Sequence, residues 1–149
     1  MRSLQILRKL RSCDSGASML EFAFVAPLLA FLLVGMVDFG RGMAISMQLE
    51  SAARSGAEYG SLFPQDTAGL QTAVIEALGP GLTLAAGAVS AVSECRCAGV
   101  VVACTATCNG IGAEMYLTVR VDHTYSPILP YPGIAASYPL SGTAEFRMR

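Results

Sequence analysis

The hydrophobic residues of this chain form an N-terminal run and, later, an alternating pattern. Residues 22–37 contain no charged side chain, and this run is near the short end of the length that a membrane-spanning helix needs. Residues that favour helices continue beyond it without a proline as far as Pro64. We therefore predict one helix over residues 17–62, roughly 69 Å long at about 1.5 Å per residue, so that about half of it extends beyond the membrane.

Two features modify this predicted helix. Pro27 lies inside it, and because proline cannot donate the backbone hydrogen bond of a helix interior, we expect a kink or one loosened turn there. Ala52, Gly56 and Gly60 recur every four residues in the part beyond the membrane. Small residues at this spacing allow another backbone to approach closely. This face can therefore pack against a partner helix or against the sheet of its own domain, and the two need not exclude each other.

The remainder of the chain predicts a short helix followed by strands. In DTAGLQTAVIEALGPG the apolar stripe of the helix consists of Leu70, Val74, Ile75 and Leu78. MYLTVRVDHTY and LSGTAEFRM alternate apolar with polar residues, which is typical of strands with one face in water. GVVVACT predicts a buried strand and AAGAVSAVSECRC a weaker one, whereas the three prolines of SPILPYPG predict an irregular connection. The fold class is therefore α+β, with a long N-terminal helix packed at its outer end on a small antiparallel sheet.

The distribution of charge predicts how the chain is oriented. Of its 149 residues 53% are hydrophobic and 14% are charged, and the formal net charge is −1. The residues before Gly16 include four basic side chains and one acidic side chain, whereas six basic residues face ten acidic ones after it. Basic residues that precede a membrane segment stay on the cytoplasmic side. The part after about Gly40 is therefore expected to lie on the opposite side of the membrane.

These patterns predict three parts: a basic leader (residues 1–16), a transmembrane helix half (residues 17–39) and an extracytoplasmic α+β domain (residues 40–149). A cleaved secretory signal peptide is the competing interpretation of the first two parts, since it also begins basic and then becomes apolar. The residues that follow the apolar run are DFGR, however, and they offer no A-x-A-like cleavage site.

Four of the five cysteines cluster in the strand region. Cys95, Cys97, Cys104 and Cys108 follow the spacing C-x-C-x6-C-x3-C, whereas Cys13 stands among the basic residues. Four thiols in an oxidising compartment indicate two disulfide bonds. A direct bond between Cys95 and Cys97 would be strained, so each is expected to pair with Cys104 or Cys108. The alternative is a four-thiolate zinc site, although the paired C-x2-C knuckles that such sites commonly use are absent.

The sequence contains no evident catalytic constellation. His123, the single histidine, falls on the same face of a predicted strand as Leu117, Val119 and Val121, which is typical of a core or rim position. The sequence has no G-x-S-x-G, phosphate-binding or H-E-x-x-H motif, and without tryptophan it offers no stacking platform for nucleic acid. We therefore predict a protein that is not an enzyme, requires no cofactor or metal, and binds no nucleic acid.

The residues around Glu21 carry a specific resemblance. Gly16 is followed by four residues and then by Glu21 and Phe22, and this G-x-x-x-x-E-[FY] arrangement resembles the processing site of type IV prepilins. The longer string GASMLEFAFVAPLLAFLLVGMVDFGR, with Pro27 six residues after the glutamate, resembles the TadE-like minor pilins and pseudopilins of tight-adherence (Tad/Flp) systems. The specific match covers residues 16–41, and the later part of the chain is loosely similar to that family.

The resemblance implies a pilin-like fold and a set of partners. A membrane-bound prepilin peptidase would cut after Gly16 and leave Ala17 as the new N-terminus. The carboxylate of Glu21 would then meet the N-terminal ammonium of a neighbouring subunit and fix the register of assembly. The protein would be a single-pass protein of the bacterial inner membrane, with its C-terminal domain in the periplasm or in an extracellular pilus. There it would join other Tad pilins and the inner-membrane assembly platform in a hetero-oligomer.

Two other classes of protein fit parts of the sequence. One is an uncleaved, single-pass periplasmic scaffold or binding protein, in which Glu21 reaches the membrane interface from an uncut anchor. The other is an anchored redox protein that uses the four clustered cysteines, against which the lack of a C-x-x-C motif argues. A folded outer domain of this size favours a minor pilus component over the main fibre subunit.

Overall fold

A computed structural model describes residues 15–131 and 133–148, so the predicted leader up to residue 14, with Cys13, lies outside the described residues. The described helices are α1 (Ser15–Leu62) and α2 (Thr67–Leu78). The strands are β1 (Val89–Cys97), β2 (Val100–Val102), β3 (Thr107–Cys108), β4 (Ile111–Gly112), β5 (Glu114–Tyr125) and β6 (Tyr138–Arg147). The predicted α+β class, a long N-terminal apolar helix with a small antiparallel sheet, is confirmed.

The chain divides into two compact units, of which the first ends at Phe39 and the second begins at Gly40. In the first unit α1 continues without a break across Pro27, and the expected kink at this residue stays a prediction. Large apolar side chains cover its surface; Phe24, for example, is 76% exposed. A soluble helix buries such residues, so this part of α1 has the surface of a helix that faces lipid.

The second unit is built on a four-stranded antiparallel sheet with the strand order β2-β1-β5-β6. Val119 in the middle of β5 lies opposite Ala91 of β1 and Ala144 of β6. Because successive side chains of a strand point to opposite faces, Leu117, Val119 and Val121 are buried on one face and polar residues occupy the other. The alternation predicted for β5 and β6 is therefore confirmed, and their connection is irregular as expected.

The small residues of α1 allow the helices and the sheet to pack closely. A Cβ atom placed on Gly56 would lie 2.5 Å from Cγ2 of Val74, and one placed on Gly60 would lie 2.5 Å from Cδ2 of Leu117. The buried core contributed by the two helices consists of Leu49, Ala52, Ala53, Ala57, Leu70, Val74 and Leu78. The stripe of small residues therefore serves the domain's own packing, which is one of the two alternatives that the sequence left open.

The turn between α1 and α2 is held by a short hydrogen-bonded chain. Asp66 is the N-cap of α2 and accepts a hydrogen bond from the amide of Gly69 at 2.8 Å, while the hydroxyl of Tyr59 donates to the same carboxylate at 2.7 Å. These hydrogen bonds, that from Tyr59 first, hold the pKa of Asp66 below its ordinary value. The same contact raises the pKa of Tyr59. This carboxylate therefore fixes both the start of α2 and the end of α1.

Two details of the sequence prediction are wrong. GVVVACT does not form a buried strand: β2 is a three-residue strand at the edge of the sheet, with Val100 65% and Val101 60% exposed. The reason is that the chain reverses at Ala98 and Gly99, both at positive φ, so that β2 pairs on one side with the outer end of β1. Ile75 is exposed rather than part of the α2 stripe, since it is rotated by about 100° from the buried Val74.

Candidate functional site

The predicted processing and register residues lie at the start of α1. Gly16 and Ala17 belong to the first turn of the described helix, and Glu21 and Phe22 follow one turn later with exposed side chains. Glu21 lies four positions after Ala17, so the two positions are on one face of the helix, about 6 Å apart along its axis. The arrangement presents a carboxylate at the surface of an apolar helix, at a fixed distance from the Gly16–Ala17 peptide bond. The roles of these residues stay predictions.

Glu21 begins an apolar segment with the properties of a membrane span. Among the described residues, one helical stretch, Ser18–Leu62, is long and apolar enough to cross a membrane by length and composition. No part of its most apolar window is buried within the protein. A fully exposed apolar helix of this length is stable against lipid and costly in water. These features fit a membrane-anchored protein.

At the start of the second unit, one arginine and two tyrosines lie close together beside α1. The guanidinium carbon of Arg41 lies 5.8 Å from the ring centroid of Tyr125, within the range of a cation–π interaction. The rings of Tyr125 and Tyr138 have their centroids 5.2 Å apart, and a Cβ atom on Gly42 would lie 3.5 Å from the hydroxyl of Tyr138. The end of β5 and the start of β6 are therefore placed beside residues 41 and 42. Sequence reasoning did not single out either tyrosine.

The four clustered cysteines form two disulfide bonds at the other end of the sheet. Cys95 is bonded to Cys104 with 5.0 Å between their Cα atoms, and Cys97 is bonded to Cys108 with 5.6 Å between theirs. This is one of the pairings that the sequence left open. Because all four sulfurs are used in disulfide bonds, they are not thiolates that could hold zinc. Within residues 15–131 and 133–148, no group of three or more His, Cys, Asp or Glu side chains is placed to hold a metal ion.

The outer face of the sheet carries ion pairs within and between its strands. Arg96 of β1 reaches Glu145 of β6 at 2.8 Å and also contacts Glu94, while Arg147 of β6 contacts Glu114 of β5 at 2.8 Å. Such partly exposed pairs contribute little stability each, but together they match the charges across three strands. This face presents balanced charge rather than a basic or an acidic patch.

His123 lies at the rim of an open cleft of about 680 Å³. The cleft is lined by residues 83–88 and by the end of β5, where the Nε of Arg120 donates to both carboxylate oxygens of Asp122 at 2.9 and 3.1 Å. His123 is half-buried, as expected for a strand-end rim position. The side chains of Arg120 and Asp122 are 54% and 45% exposed. The contacts of this cleft therefore describe a surface ion pair.

Comparison with known proteins agrees with the N-terminal observations. The family model described as TadE-like protein matches residues 16–58, which contain Gly16, Glu21, the exposed apolar helix and the first part of α1 in the second unit. Searches of curated proteins and of solved structures find no significant match. The resemblance that the N-terminal sequence indicated is confirmed, and residues 16–58 of this chain are TadE-like.

Proposed function

We propose that this protein is a minor pilin or pseudopilin that a prepilin peptidase cuts between Gly16 and Ala17 and that takes part in the assembly of a Tad-type adhesion pilus. The observation that carries the proposal is the motif G-x-x-x-x-E-F at the start of an exposed apolar helix, within the segment that the TadE-like family model matches. TadE-like proteins of the pilus are structural proteins, so the chain acts as a substrate of the peptidase and as a component of the assembly.

Two observations support an orientation with the N-terminus in the cytoplasm. The basic residues precede the apolar helix, which favours their retention on the cytoplasmic side of the inner membrane. The two disulfide bonds lie in the second unit, and such bonds form and persist in an oxidising compartment such as the periplasm. Charge and redox chemistry therefore favour the same topology independently.

The position of Glu21 supports a role in assembly. An unpaired carboxylate is costly among apolar, lipid-facing side chains. Cleavage after Gly16 creates an ammonium group at Ala17, and the ammonium of a neighbouring subunit can offset the charge of Glu21. Because the pairing distance is short, it also fixes the axial register between subunits. Other Tad pilins and the inner-membrane assembly platform are the partners that this role requires.

The decisive experiment is mass spectrometry of the mature N-terminus after co-expression with the prepilin peptidase. We expect a chain that begins at Ala17. Gly16→Val should block cleavage, whereas Gly40→Val, which changes another helical glycine of α1 with open space around it, should leave cleavage intact. An intact Met1, in cells where the same peptidase cuts an established prepilin, would contradict the proposal. That result would favour the uncleaved single-pass scaffold.

A further inference from the structure

The connection between β5 and β6 forms a surface without charged side chains, here called the uncharged loop (residues 126–131 and 133–137). No charged residue occurs in the sequence from Thr124 to Ala144. Ile128 is 51% exposed and Ile134 is 58% exposed, and Leu129 is also among the exposed large hydrophobic residues. A loop at a water-exposed rim normally carries polar side chains. Three exposed large aliphatic residues on a segment without charge make this loop an apolar surface.

The backbone of the uncharged loop presents these side chains in a defined way. Pro127 and Pro130 cannot donate to a strand ladder, so the segment does not extend β5 or β6. The amide of Ile134 donates to the carbonyl of Tyr131 at 3.1 Å, and Gly133 adopts a φ of 81° in the turn that this bond closes. The turn places Ile134 at the surface of the loop, where its side chain is exposed.

The base of the uncharged loop lies beside the residues that follow the apolar span. Tyr125 and Tyr138 flank the loop. Tyr125 contacts Arg41, and both tyrosines lie beside Gly42 in the first turn of the second unit. The opposite end of β5 begins at Glu114, eleven residues earlier, which is roughly 36 Å away at about 3.3 Å per residue. Within the second unit, the disulfide-bonded end of the sheet is therefore remote from Arg41 and Gly42, whereas the base of the uncharged loop lies beside them.

We propose that the uncharged loop docks onto the lipid surface of the leaflet from which α1 emerges, with Ile128, Leu129 and Ile134 inserted at the boundary of headgroups and acyl chains. The inference rests on the proposed membrane insertion of α1. Tyrosine is enriched at headgroup level, where the half-buried Tyr138 would lie, and the exposed Arg41 can extend its charged end to the same level. Aliphatic side chains on an uncharged backbone segment enter this boundary without the desolvation of a charge.

Continuity with the span favours lipid over a protein partner as the occupant. The loop belongs to the same chain as α1, and the tyrosines that flank it lie beside residues 41 and 42, so insertion of α1 brings it to the membrane at no further cost of association. A single membrane helix leaves the second unit free to tilt and rotate. Contact of the uncharged loop with the lipid surface would fix this orientation. The domain would then be held against the membrane until the subunit is extracted into an assembly.

Tryptophan fluorescence tests the proposal on the full chain, because the natural sequence contains no tryptophan. Single-tryptophan variants are reconstituted in vesicles of phosphatidylethanolamine and phosphatidylglycerol, with or without dibrominated phosphatidylcholine. Ile134→Trp tests the loop. Ile111→Trp is the matched control, since Ile111 is 74% exposed at the disulfide-bonded end of the sheet. Phe24→Trp reports on the span itself.

We expect brominated lipid to quench the emission of Phe24→Trp and Ile134→Trp and to leave Ile111→Trp unchanged. The emission of Ile134→Trp should also shift to shorter wavelength on reconstitution. Quenching of Phe24→Trp without quenching of Ile134→Trp would overturn the docking inference and leave the anchor intact. If the emission of Ile134→Trp shifted to shorter wavelength only as the amount of protein per vesicle increased, without quenching by brominated lipid, a neighbouring subunit would cover the loop. That result would also overturn the docking inference. Loss of quenching at Phe24→Trp would instead refute the membrane anchor.

Discussion

Replacement of Gly56 by alanine tests whether the small residues of α1 are required by the domain's own packing. A Cβ atom at Gly56 would lie 2.5 Å from Cγ2 of Val74 and 3.4 Å from Cγ1 of Val119. Carbon atoms in ordinary contact lie about 3.5–4.0 Å apart, so the first contact requires a shift of roughly 1 Å. Val74 is fully buried and β-branched, and a valine in a helix has one strongly preferred side-chain rotamer.

The expected free-energy change combines two opposing effects. Alanine is favoured over glycine in a helix interior by about 1 kcal/mol. Overpacking of a close-packed core costs about 1–3 kcal/mol, and the stiffness of Val74 places this site at the upper end. The net expectation for Gly56→Ala is a loss of about 2 kcal/mol from the free energy of unfolding. Gly40→Ala is the matched control, since nothing lies within 4 Å of its Cβ position, and it should not destabilise the protein.

The assay is guanidinium unfolding of the full chain in detergent, followed by tyrosine fluorescence. All five tyrosines lie in the second unit, so the signal reports the unfolding of this unit and not of the membrane span. The Gly56→Ala variant should unfold at a lower denaturant concentration with an unchanged slope. If Gly56→Ala were as stable as the natural chain while Gly40→Ala behaved as expected, α1 would not approach Val74 as closely as described.

Three further predictions concern the carboxylates and the disulfide bonds. Glu21→Gln should leave cleavage after Gly16 intact but lower incorporation into pili by about tenfold or more, because the subunit loses a charge pair of about 2 kcal/mol in lipid; unchanged incorporation, measured by immunoblot of sheared pili, would contradict the pairing role. Because the pKa of Asp66 is lowered on folding, its stabilising effect is present above its ordinary pKa of about 3.9 and is lost as the pH falls through the lower folded value. Tyr59→Phe removes the largest cause of that shift, so carboxyl NMR should show a higher pKa for Asp66, and an unaltered titration would refute this cause. Thiol alkylation after reduction should gain four labels, and loss of either disulfide bond should cost about 3 kcal/mol of unfolding free energy, given sequence separations of 9 and 11 residues; full labelling without a reductant would show that the bonds are absent.

The elements that could be predicted from the sequence are those in which burial of one face gives a regular pattern of apolar and polar residues. In β5 the alternation from Leu117 to Val121 is regular because one face contacts the helices and the other faces water. The long apolar run of α1 is equally clear, since no polar side chain interrupts it between Glu21 and Asp38. The G-x-x-x-x-E-F motif could be identified because its spacing is local in the sequence.

The features that were missed depend on contacts between distant segments or on short turns. β2 is a run of valines, which a single-sequence pattern cannot assign to the edge or to the centre of a sheet. The β3–β4 hairpin was also missed, although its turn could have been identified from the sequence. Asn109-Gly110 between two short extended segments is typical of a tight hairpin turn, and both residues have positive φ. The neighbourhood of Arg41, Tyr125 and Tyr138 follows from the antiparallel return of β6 and has no local signature.

The packing of α1 also limits how this protein can contact other subunits outside the membrane. Leu49, Ala53 and Ala57 are fully buried against α2 and the sheet, so the face of α1 that carries its small residues is not available to a partner. Met43 and Met47 lie four residues apart and are exposed, which places an apolar strip on another face of the same helix. Methionine adapts to irregular surfaces and is common at sites that bind more than one partner. The close approach that Gly56 and Gly60 permit is therefore used by the fold, and a subunit that packs on this part of α1 meets exposed side chains, among them Met43 and Met47.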